Sequence, residues 1–236
     1  LLTFDDGPEL ETTPLVLDEL DRRGLKGIFF VTGRHLVGHK PGAHARRELV
    51  RTIAAHGHMV ANHTLNHQNL CRQPNAIEVE VDGNQEIITA ATGIRPLLFR
   101  SPYGATCARL THALAARDLI QVGWNIDPQE WRGERADDIV GYVIDKLRRL
   151  PGRGILLLHD THPQAARALP RILEFIDEEN RRAEAGLARP IRIVDYTVFL
   201  PRQPLPETGL EVALADVGRR LVAPFERIVD GLHPVP

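Results

Sequence analysis

The stretch Thr3-Phe4-Asp5-Asp6-Gly7-Pro8 stands at the start of the chain, and the other candidate site residues can be arranged around it. A short apolar run leads into two adjacent carboxylates and then into Gly-Pro, which predicts a strand that ends in a tight turn. Successive side chains at a strand end point in different directions. Asp5 and Asp6 can therefore serve one site in two roles, one binding a metal and the other handling a proton. Taken alone, such a pair is more often a surface turn.

A second cluster, Asn62-His63-Thr64-Leu65-Asn66-His67, contains two imidazoles four residues apart. On a helical turn this spacing puts both rings on one face, close enough to bind one metal ion. The chain has 11 His, so such a pair also arises by chance. With Asp6 added, the set becomes a two-histidine, one-carboxylate site with open positions for water and substrate. It suits zinc and also non-haem iron, so the residue types leave the metal open.

Length and composition favour one large globular domain. The chain has 236 residues, 43% of them hydrophobic, enough for a full core. Its 29 basic and 31 acidic residues give a net charge of −2, which provides no basis for binding nucleic acid or an anionic membrane. No apolar run approaches the ~20 residues of a membrane span. The numbering opens inside an apolar strand without Met, so we expect the native N-terminus to lie upstream.

Cys71 and Cys107 leave two interpretations open. Each follows shortly after a candidate site residue, His67 and Tyr103 respectively, so the two thiols can lie near each other. They form either a disulfide or two buried free thiols.

Apolar patterning predicts strands and helices that alternate about seven times. After the Asp-Asp strand, strands are predicted at residues 27–32, 58–61, 97–100, 119–124, 154–158 and 191–198. Helices are predicted at residues 13–24, 46–55, 76–91, 107–117, 136–150 and 164–180. This alternation predicts a parallel sheet, either open or closed into a barrel.

Six candidate reactive residues share one location, at or just past the C-terminal end of a predicted strand. They are Asp5, Asp6, His63, Arg100, Asp127 and His159. In parallel α/β architectures, active sites are built at that edge of the sheet. Random surface residues would not collect on one rim, so the pattern predicts an enzyme.

Two further motifs offer specific chemistry. In Arg100-Ser101-Pro102-Tyr103-Gly104, a buried Arg can pair with the non-ligating aspartate, and the turn N–H groups can face an oxyanion. A rigid turn is the alternative. In the segment from Trp124 to Trp131, a partly exposed Trp beside a carboxylate suits the flat face of a sugar ring. Both tryptophans can also be core residues, although Trp131 lies in a polar loop.

His159 stands where the apolar run Leu156-Leu157-Leu158 stops. A His in this position can act as a general acid that protonates a leaving amine, while a carboxylate keeps its ring protonated and oriented. Asp160 and His162 follow directly. Both are candidates to hold the site residues in place, although a plain helix-capping role is favoured for both.

Together these motifs resemble the polysaccharide deacetylases, the NodB-homology domain of carbohydrate esterase family four. In the family's order they are Thr3-Phe4-Asp5-Asp6-Gly7-Pro8, His63-Thr64-x-x-His67, Arg100-x-Pro102-Tyr103-Gly104, Asp127-x-x-Glu130-Trp131 and Leu157-x-His159-Asp160. The resemblance implies a distorted (β/α)7 barrel of parallel strands with its active site at the C-terminal rim. We expect residues 1–200 to form this domain and residues 201–236 to form a helical extension packed on it, or an oligomer contact.

By the same resemblance, Asp6, His63 and His67 are metal ligands, Asp5 is the catalytic base and His159 is the catalytic acid. The implied cofactor is a divalent metal ion, with zinc favoured and cobalt, nickel or iron as alternatives.

Four more roles are implied by the resemblance. Arg100 matches the residue that orients the base, and Tyr103 the residue whose backbone N–H helps to form the oxyanion hole. Trp131 and Leu157 match the walls of an acetyl pocket.

One position departs from the family's pattern. The residue before the motif's Trp is usually Asp and tunes the catalytic His, whereas here it is Glu130. Either the longer side chain of Glu130 reaches His159, or Asp127 takes over this role.

The implied reaction removes N-acetyl groups from N-acetylglucosamine-containing polysaccharide or oligosaccharide of the peptidoglycan or chitin type and releases acetate. That substrate class implies an extracellular or cell-envelope location. Three alternatives remain: removal of acetyl esters from xylan, hydrolysis of a small cyclic amide or imide, and a catalytically silent carbohydrate-binding envelope protein. The intact metal triad weighs against the second, and the full set of candidate catalytic residues weighs against the third.

Overall fold

The computed structural model describes residues 1–38 and 42–199, and its centre is a sheet of parallel strands. The strands are β1 (Leu2–Asp5), β2 (Ile28–Val31), β3 (Met59–Asn62), β4 (Leu98–Phe99), β5 (Ile120–Gln121) and β6 (Leu156–His159). Their order in the sheet is β5-β4-β3-β2-β1-β6, so β1 lies between β2 and β6. The predicted extension at residues 201–236 lies outside the described residues.

The helices follow the predicted alternation with the strands. They are α1 (Thr13–Arg22), α2 (Ala43–Ala55), α3 (Gly83–Thr92), α4 (Ala108–Ala115), α5 (Ala136–Arg149) and α6 (Pro163–Glu184). The helix predicted at residues 76–91 is only partly correct, because a π-helical segment, Glu78–Asp82, precedes α3.

The two edges of the sheet are joined by a short stretch of chain, which forces the sheet to curl. Val122 N donates to Phe99 O of β4, whereas Ile126 forms an isolated parallel bridge to Leu156 of β6 at the opposite edge. The four residue steps from Val122 to Ile126 span at most about 14 Å when extended. Six strand spacings in a flat sheet would measure about 29 Å. The strands therefore close toward a barrel, with Ile126 in the seventh position.

The seventh predicted strand, residues 191–198, is wrong, although the barrel class is confirmed. These residues form irregular chain that ends in a 3₁₀ segment, Tyr196–Phe199. Ile191 N donates to Asn180 Oδ1 of α6 (2.7 Å), and Asn180 Nδ2 donates to Ile191 O (3.1 Å). Ile191 and Ile193 therefore pack against the outer core instead of joining the sheet, and Tyr196 packs against the inner-face apolar cluster.

Side chains alternate between the outer and inner faces of the curled sheet. On the outer face, Phe4 stacks on Phe29 with ring centroids 4.8 Å apart, and both belong to the core shared with the helices. The inner face carries a separate apolar cluster of Ile28, Phe30, Ala61, Leu98, Ile120 and Val122. Because successive strand residues point to opposite faces, Asp5 follows Phe4 onto the inner face. The Asp5 carboxylate therefore points toward the inner, concave face of the sheet.

A disulfide joins Cys71 and Cys107, which resolves the choice left open by the sequence. Both cysteines pack against the apolar cluster beneath α4. The bond links the loop after β3 to the start of α4. Among the described residues, no helix is both long enough and apolar enough to span a bilayer.

We expect Leu20→Ala to lower the free energy of unfolding by about 2–5 kcal/mol, because the variant leaves a cavity between α1 and the sheet. Leu20 is fully buried in the outer core. Leu15→Ala on the same helix is the matched control, since Leu15 is 56% exposed, and it should change stability by no more than about 0.5 kcal/mol. Urea denaturation of both variants measures the difference, and equal losses would contradict the packing described.

Candidate active site

The end of β1 presents Asp5 and Asp6 to the rim of the sheet. Asp6 N donates to Phe30 O of β2 (3.1 Å), and Asp6 has a φ of 73°. This left-handed backbone is uncommon outside glycine and turns the Asp6 carboxylate away from the direction of Asp5. Asp6 Oδ1 lies 3.4 Å from His63 Nε2 and 3.3 Å from His67 Nε2.

The two histidines converge without forming a helical turn. Residues 63–67 are a loop after β3, in which Thr64 has a φ of 66° and His67 a φ of 60°. The helical turn predicted from the i, i+4 spacing is therefore wrong. The ligand atoms of Asp6, His63 and His67 nevertheless all lie within 4.8 Å of one another.

The chemistry of this cluster fits a divalent cation. Asp6 Oδ1 is buried and has no hydrogen-bond partner among the described residues. His63 Nδ1 lies 2.8 Å from Arg100 O, and because a carbonyl only accepts, Nδ1 carries the proton and Nε2 offers its lone pair. Burial lowers the pKa of His63 to about 3, so the ring is neutral. Burial also lowers the pKa of His67. Two neutral imidazoles and one carboxylate form a donor set typical of zinc.

The loop that carries the histidines is fixed by residues that the sequence did not single out. Asn62 Oδ1 accepts from Thr64 N (2.8 Å) and from Asn84 Nδ2 (2.9 Å). Glu80 is fully buried in the π-helical segment, and its carboxylate accepts from Asn66 N (2.7 Å) and Asn66 Nδ2 (2.8 Å). Such π segments often occur at functional sites. No signal in the sequence predicted Glu80 as a support for this loop.

Asp5 forms a buried ion pair with Arg100. Arg100 Nη1 donates to Asp5 Oδ1 (2.8 Å), and Asp5 Oδ2 lies 3.7 Å from His63 Nε2. Burial raises the pKa of Asp5, and the charge and hydrogen bond of Arg100 oppose that rise. Asp5 is thus adjacent to the metal cluster and held by a guanidinium, as the resemblance implies.

Further hydrogen bonds and one ring contact hold the Arg100 guanidinium in place. Nη1 also donates to Thr3 Oγ1 (2.8 Å), Nε donates to Val122 O (3.1 Å) and Nη2 donates to Gly123 O (3.0 Å). The guanidinium carbon lies 4.1 Å from the centroid of the Phe30 ring. A fully buried arginine with this many partners has little freedom to move, so it fixes the orientation of the Asp5 carboxylate.

Glu130 contacts His159, which settles the departure from the family's pattern. Glu130 Oε1 lies 3.1 Å from His159 Nδ1 and also accepts from His159 N. Asp127 instead accepts from Trp124 Nε1 (3.2 Å) and Gln129 N (2.9 Å). Burial lowers the pKa of His159, but the hydrogen bond and charge of Glu130, together with the charges of Asp5 and Asp6, outweigh burial and raise it to about 9. His159 is therefore protonated at neutral pH.

Asp160 lies beneath the turn that carries Asp6. Its carboxyl group is buried, and Thr13 Oγ1 donates to it. A Cβ at Gly7 would lie 2.2 Å from Asp160 Oδ2, so only glycine leaves room at this position. The capping roles predicted for Asp160 and His162 are wrong, because Asp160 supports the turn and His162, at the start of α6, makes no side-chain capping bond.

The remaining predicted residues are Tyr103, Leu157 and Trp131, of which Tyr103 contacts a candidate ligand. Tyr103 has a φ of 61° and an exposed side chain whose ring centroid lies 4.7 Å from that of His67. Leu157 is buried on β6, in register with Thr3 of β1. Trp131 is 48% exposed and carries Arg132 over its ring, so the partial exposure predicted from its polar loop is confirmed and the alternative of a core residue is excluded.

The fold and site define a class of protein. A carboxylate–histidine metal cluster, an arginine-bound carboxylate and a protonated histidine share the rim of a parallel barrel, an arrangement typical of metal-assisted hydrolases. The sequence profile of the family described as polysaccharide deacetylase matches residues 1–121. The chain therefore belongs to the polysaccharide deacetylase family.

Individual relatives agree with this family. The chain is 38% identical over 169 residues to a chitooligosaccharide deacetylase of Bradyrhizobium, covering 69% of this chain and 70% of the relative. It is 32% identical over 161 residues to a peptidoglycan-N-acetylglucosamine deacetylase of Bacillus cereus, covering 68% of this chain and 55% of the relative. A solved family 4 carbohydrate esterase from Streptomyces lividans is 32% identical, with a TM-score of 0.64 over 80% of this chain and 90% of that chain.

We expect Gly7→Ala to weaken zinc binding by about tenfold or more, because the new methyl group must displace Asp160 or the turn that carries Asp6. Gly141→Ala on α5 is the matched control, since a Cβ there meets no atom within 4 Å. Isothermal titration with zinc measures both affinities. Asp160→Ala removes the clashing carboxylate, so Gly7→Ala should weaken zinc binding less in an Asp160→Ala protein than in the wild-type protein. An equal loss of zinc affinity in the two proteins would contradict this account.

Proposed function

We propose that this chain is a metal-dependent N-deacetylase that removes acetyl groups from N-acetylglucosamine units of a polysaccharide or oligosaccharide. The observation that carries the proposal is the position of Asp5 between Arg100 and the metal cluster, with Asp5 Oδ2 3.7 Å from His63 Nε2. Amide hydrolysis needs a base beside the attacking water and an acid for the leaving nitrogen. Asp5 and His159 satisfy these two needs on one rim.

Asp6, His63 and His67 would hold the divalent ion, for which we favour zinc over cobalt, nickel or iron. When bound, such an ion polarises the acetamide carbonyl and lowers the pKa of water. Asp5 takes the proton of the attacking water, and Arg100 keeps the Asp5 carboxylate ionised and oriented.

The other groups act as the amide bond breaks. The Tyr103 backbone N–H donates to the developing oxyanion. His159 protonates the leaving glucosamine nitrogen, and Glu130 keeps the imidazole charged and oriented for that transfer. Trp131 and Leu157 form walls for the acetyl methyl group. Acetate leaves, and the sugar gains a free amine.

Arg100 and Glu130 together explain why Asp5 and His159 have separate roles. An arginine neighbour stabilises the ionised form of Asp5, whereas a carboxylate neighbour stabilises the protonated form of His159. Environments that favour opposite protonation states assign base and acid at one pH. Asp127 contacts the Trp124 ring nitrogen and supports the loop that carries Glu130.

The relatives support this substrate class. Those reported above are named for chitooligosaccharide and for peptidoglycan N-acetylglucosamine deacetylation, and both substrates carry N-acetylglucosamine. From this substrate class we propose an extracellular or cell-envelope location.

We expect acetate release from an N-acetylglucosamine oligomer to require metal and Asp5. Metal-stripped protein should be inactive, zinc should restore activity, and Asp5→Asn should lower kcat by about 10²-fold or more because the base is lost. Zinc titration and urea denaturation of Asp5→Asn provide the control for folding and metal binding. Acetate release from acetylated xylan alone would replace the proposal with an esterase. Zinc binding without acetate release from any glycan would indicate a small-amide hydrolase or a silent protein.

We expect Glu130→Gln to shift the alkaline limb of the pH–kcat profile toward lower pH. The pKa of His159 is raised to about 9 from an ordinary value of 6.5, so the acid form persists to about pH 9 and activity falls above it. Without the Glu130 charge the imidazolium loses its proton at lower pH. Asp127→Asn is the matched control, because Asp127 does not contact His159. The alkaline limb of the Asp127→Asn profile should therefore move less than that of the Glu130→Gln profile. An equal shift in both variants would contradict the assignment.

A further inference from the structure

Arg34 is an exposed arginine on the rim that carries the candidate site. Arg34 lies in a 3₁₀ segment, Gly33–His35, that follows β2, and its side chain is exposed. Arg34 N donates to Leu65 O (2.7 Å), and Gly33 N donates to Thr64 O (3.1 Å). These bonds attach the segment to the loop that carries His63 and His67. The backbone of Arg34 is therefore held beside the candidate metal cluster.

The guanidinium of Arg34 has no carboxylate partner among residues 1–38 and 42–199, unlike that of its neighbour Arg46. Arg46 Nη2 lies 2.7 Å from Glu9 Oε1, and Arg47 Nη1 donates to Leu36 O (2.6 Å). Arg34 makes one side-chain hydrogen bond, from Nε to His35 Nε2 (3.0 Å). That bond orients the guanidinium and leaves its two terminal nitrogens without protein partners in the described part of the chain.

His35 is a neutral acceptor in this arrangement. Burial lowers the pKa of His35, and the charges of Arg34 and Arg46 lower it further. The sequence from residue 33 to residue 47 holds four Lys or Arg and no Asp or Glu. The positive charge of Arg34 is therefore not neutralised by its own segment.

Arg34 and the acid lie on opposite sides of the reacting position. β2, which leads into Arg34, and β6, which carries His159, flank β1 and its two carboxylates. A glycan whose N-acetyl group lies at Asp5 would extend across this rim in one direction toward Arg34. A sugar next to the reacting unit can thus reach the guanidinium.

We propose that Arg34 binds a carboxylate on the sugar next to the N-acetylglucosamine unit and makes the enzyme selective for anionic glycans. A planar guanidinium with free terminal nitrogens matches a carboxylate in a bidentate pair. Chitin-type chains are neutral and offer no such group. Glycan strands of the peptidoglycan type carry a lactyl ether acid on alternate sugars, which is a free carboxylate where no peptide is attached. Where a stem peptide is attached, the lactyl group is a neutral amide and the stem supplies the carboxylates instead. This inference rests on the proposed N-deacetylase function and chooses between its two substrate types.

The test compares kcat/KM for acetate release from three substrates by zinc-loaded protein. The substrates are a neutral N-acetylglucosamine tetramer, a peptide-free glycan strand with free lactyl carboxylates, and the same strand with those carboxylates converted to methylamides. Arg34→Gln should lower the ratio of kcat/KM for the free-acid strand to that for the tetramer by about threefold to tenfold. Arg34→Lys should retain part of the ratio. The wild-type preference should weaken as salt rises.

Arg153→Gln is the matched control, because Arg153 is exposed and precedes β6, at the edge of the sheet opposite the site. That variant should keep the wild-type ratio. A strand with peptide stems separates the two sources of carboxylate: a loss in Arg34→Gln with stems alone would assign the carboxylate to the peptide and overturn its assignment to the sugar, because the ratio for the free-acid strand would then be unchanged.

Three results would overturn the inference. They are an unchanged ratio in Arg34→Gln, an equal fall for the methylamide and free-acid strands, and a wild-type preference for the neutral tetramer. In each case wild-type acetate release shows that the N-deacetylase function stands. Absence of acetate release by wild-type protein from every glycan would remove the function and the inference together.

Discussion

The buried pair of Arg100 and Asp5 is the interaction on which both the fold and the site depend. Moving two charges into the interior costs several kcal/mol per ion, and only close pairing with further hydrogen bonds offsets that cost. Arg100 meets this requirement by also donating to Thr3, Val122 and Gly123. Its partners lie on β1 and just after β5, so one side chain joins distant strands across the curl. Removing either partner would cost about 3–5 kcal/mol.

Backbone strain is concentrated where chemistry is expected. Among the described residues, the non-glycine residues with left-handed φ include Asp6, Thr64, His67, Tyr103 and Gln129, all within the site or its loops. Each such residue costs roughly 1–3 kcal/mol and persists only when its surroundings fix it. For Thr64 and His67, the hydrogen bonds from the loop after β3 to the π-helical segment provide that fixation. The left-handed backbone of this loop directs His63 and His67 toward one point, although the loop is not helical.

The parts of the site differ in how closely they depend on the fold. The proposed base and ligands arise at the C-terminal ends of β1 and β3, which flank β2, and the left-handed backbone at Asp6 and in the loop after β3 brings them together. The proposed acid depends on a loop, because Glu130 lies in a short 3₁₀ segment and reaches His159 through its side chain. Arg34 lies further out, on a segment tied to the ligand loop by its backbone. The residues at the centre of the site are thus held in fixed positions, whereas contacts at the rim, where a long substrate extends, can adapt.

The sequence alone determined the alternation of strands and helices and the collection of reactive residues on one rim, because these follow from local periodicity and strand direction. The choice of a barrel over an open sheet came from the family resemblance. Tertiary structure decided which partners meet. It replaced the predicted strand at residues 191–198 with a bridge at Ile126, chose Glu130 over Asp127 as the partner of His159, and joined Cys71 to Cys107. Such choices depend on distances between residues far apart in the chain, which no local pattern encodes.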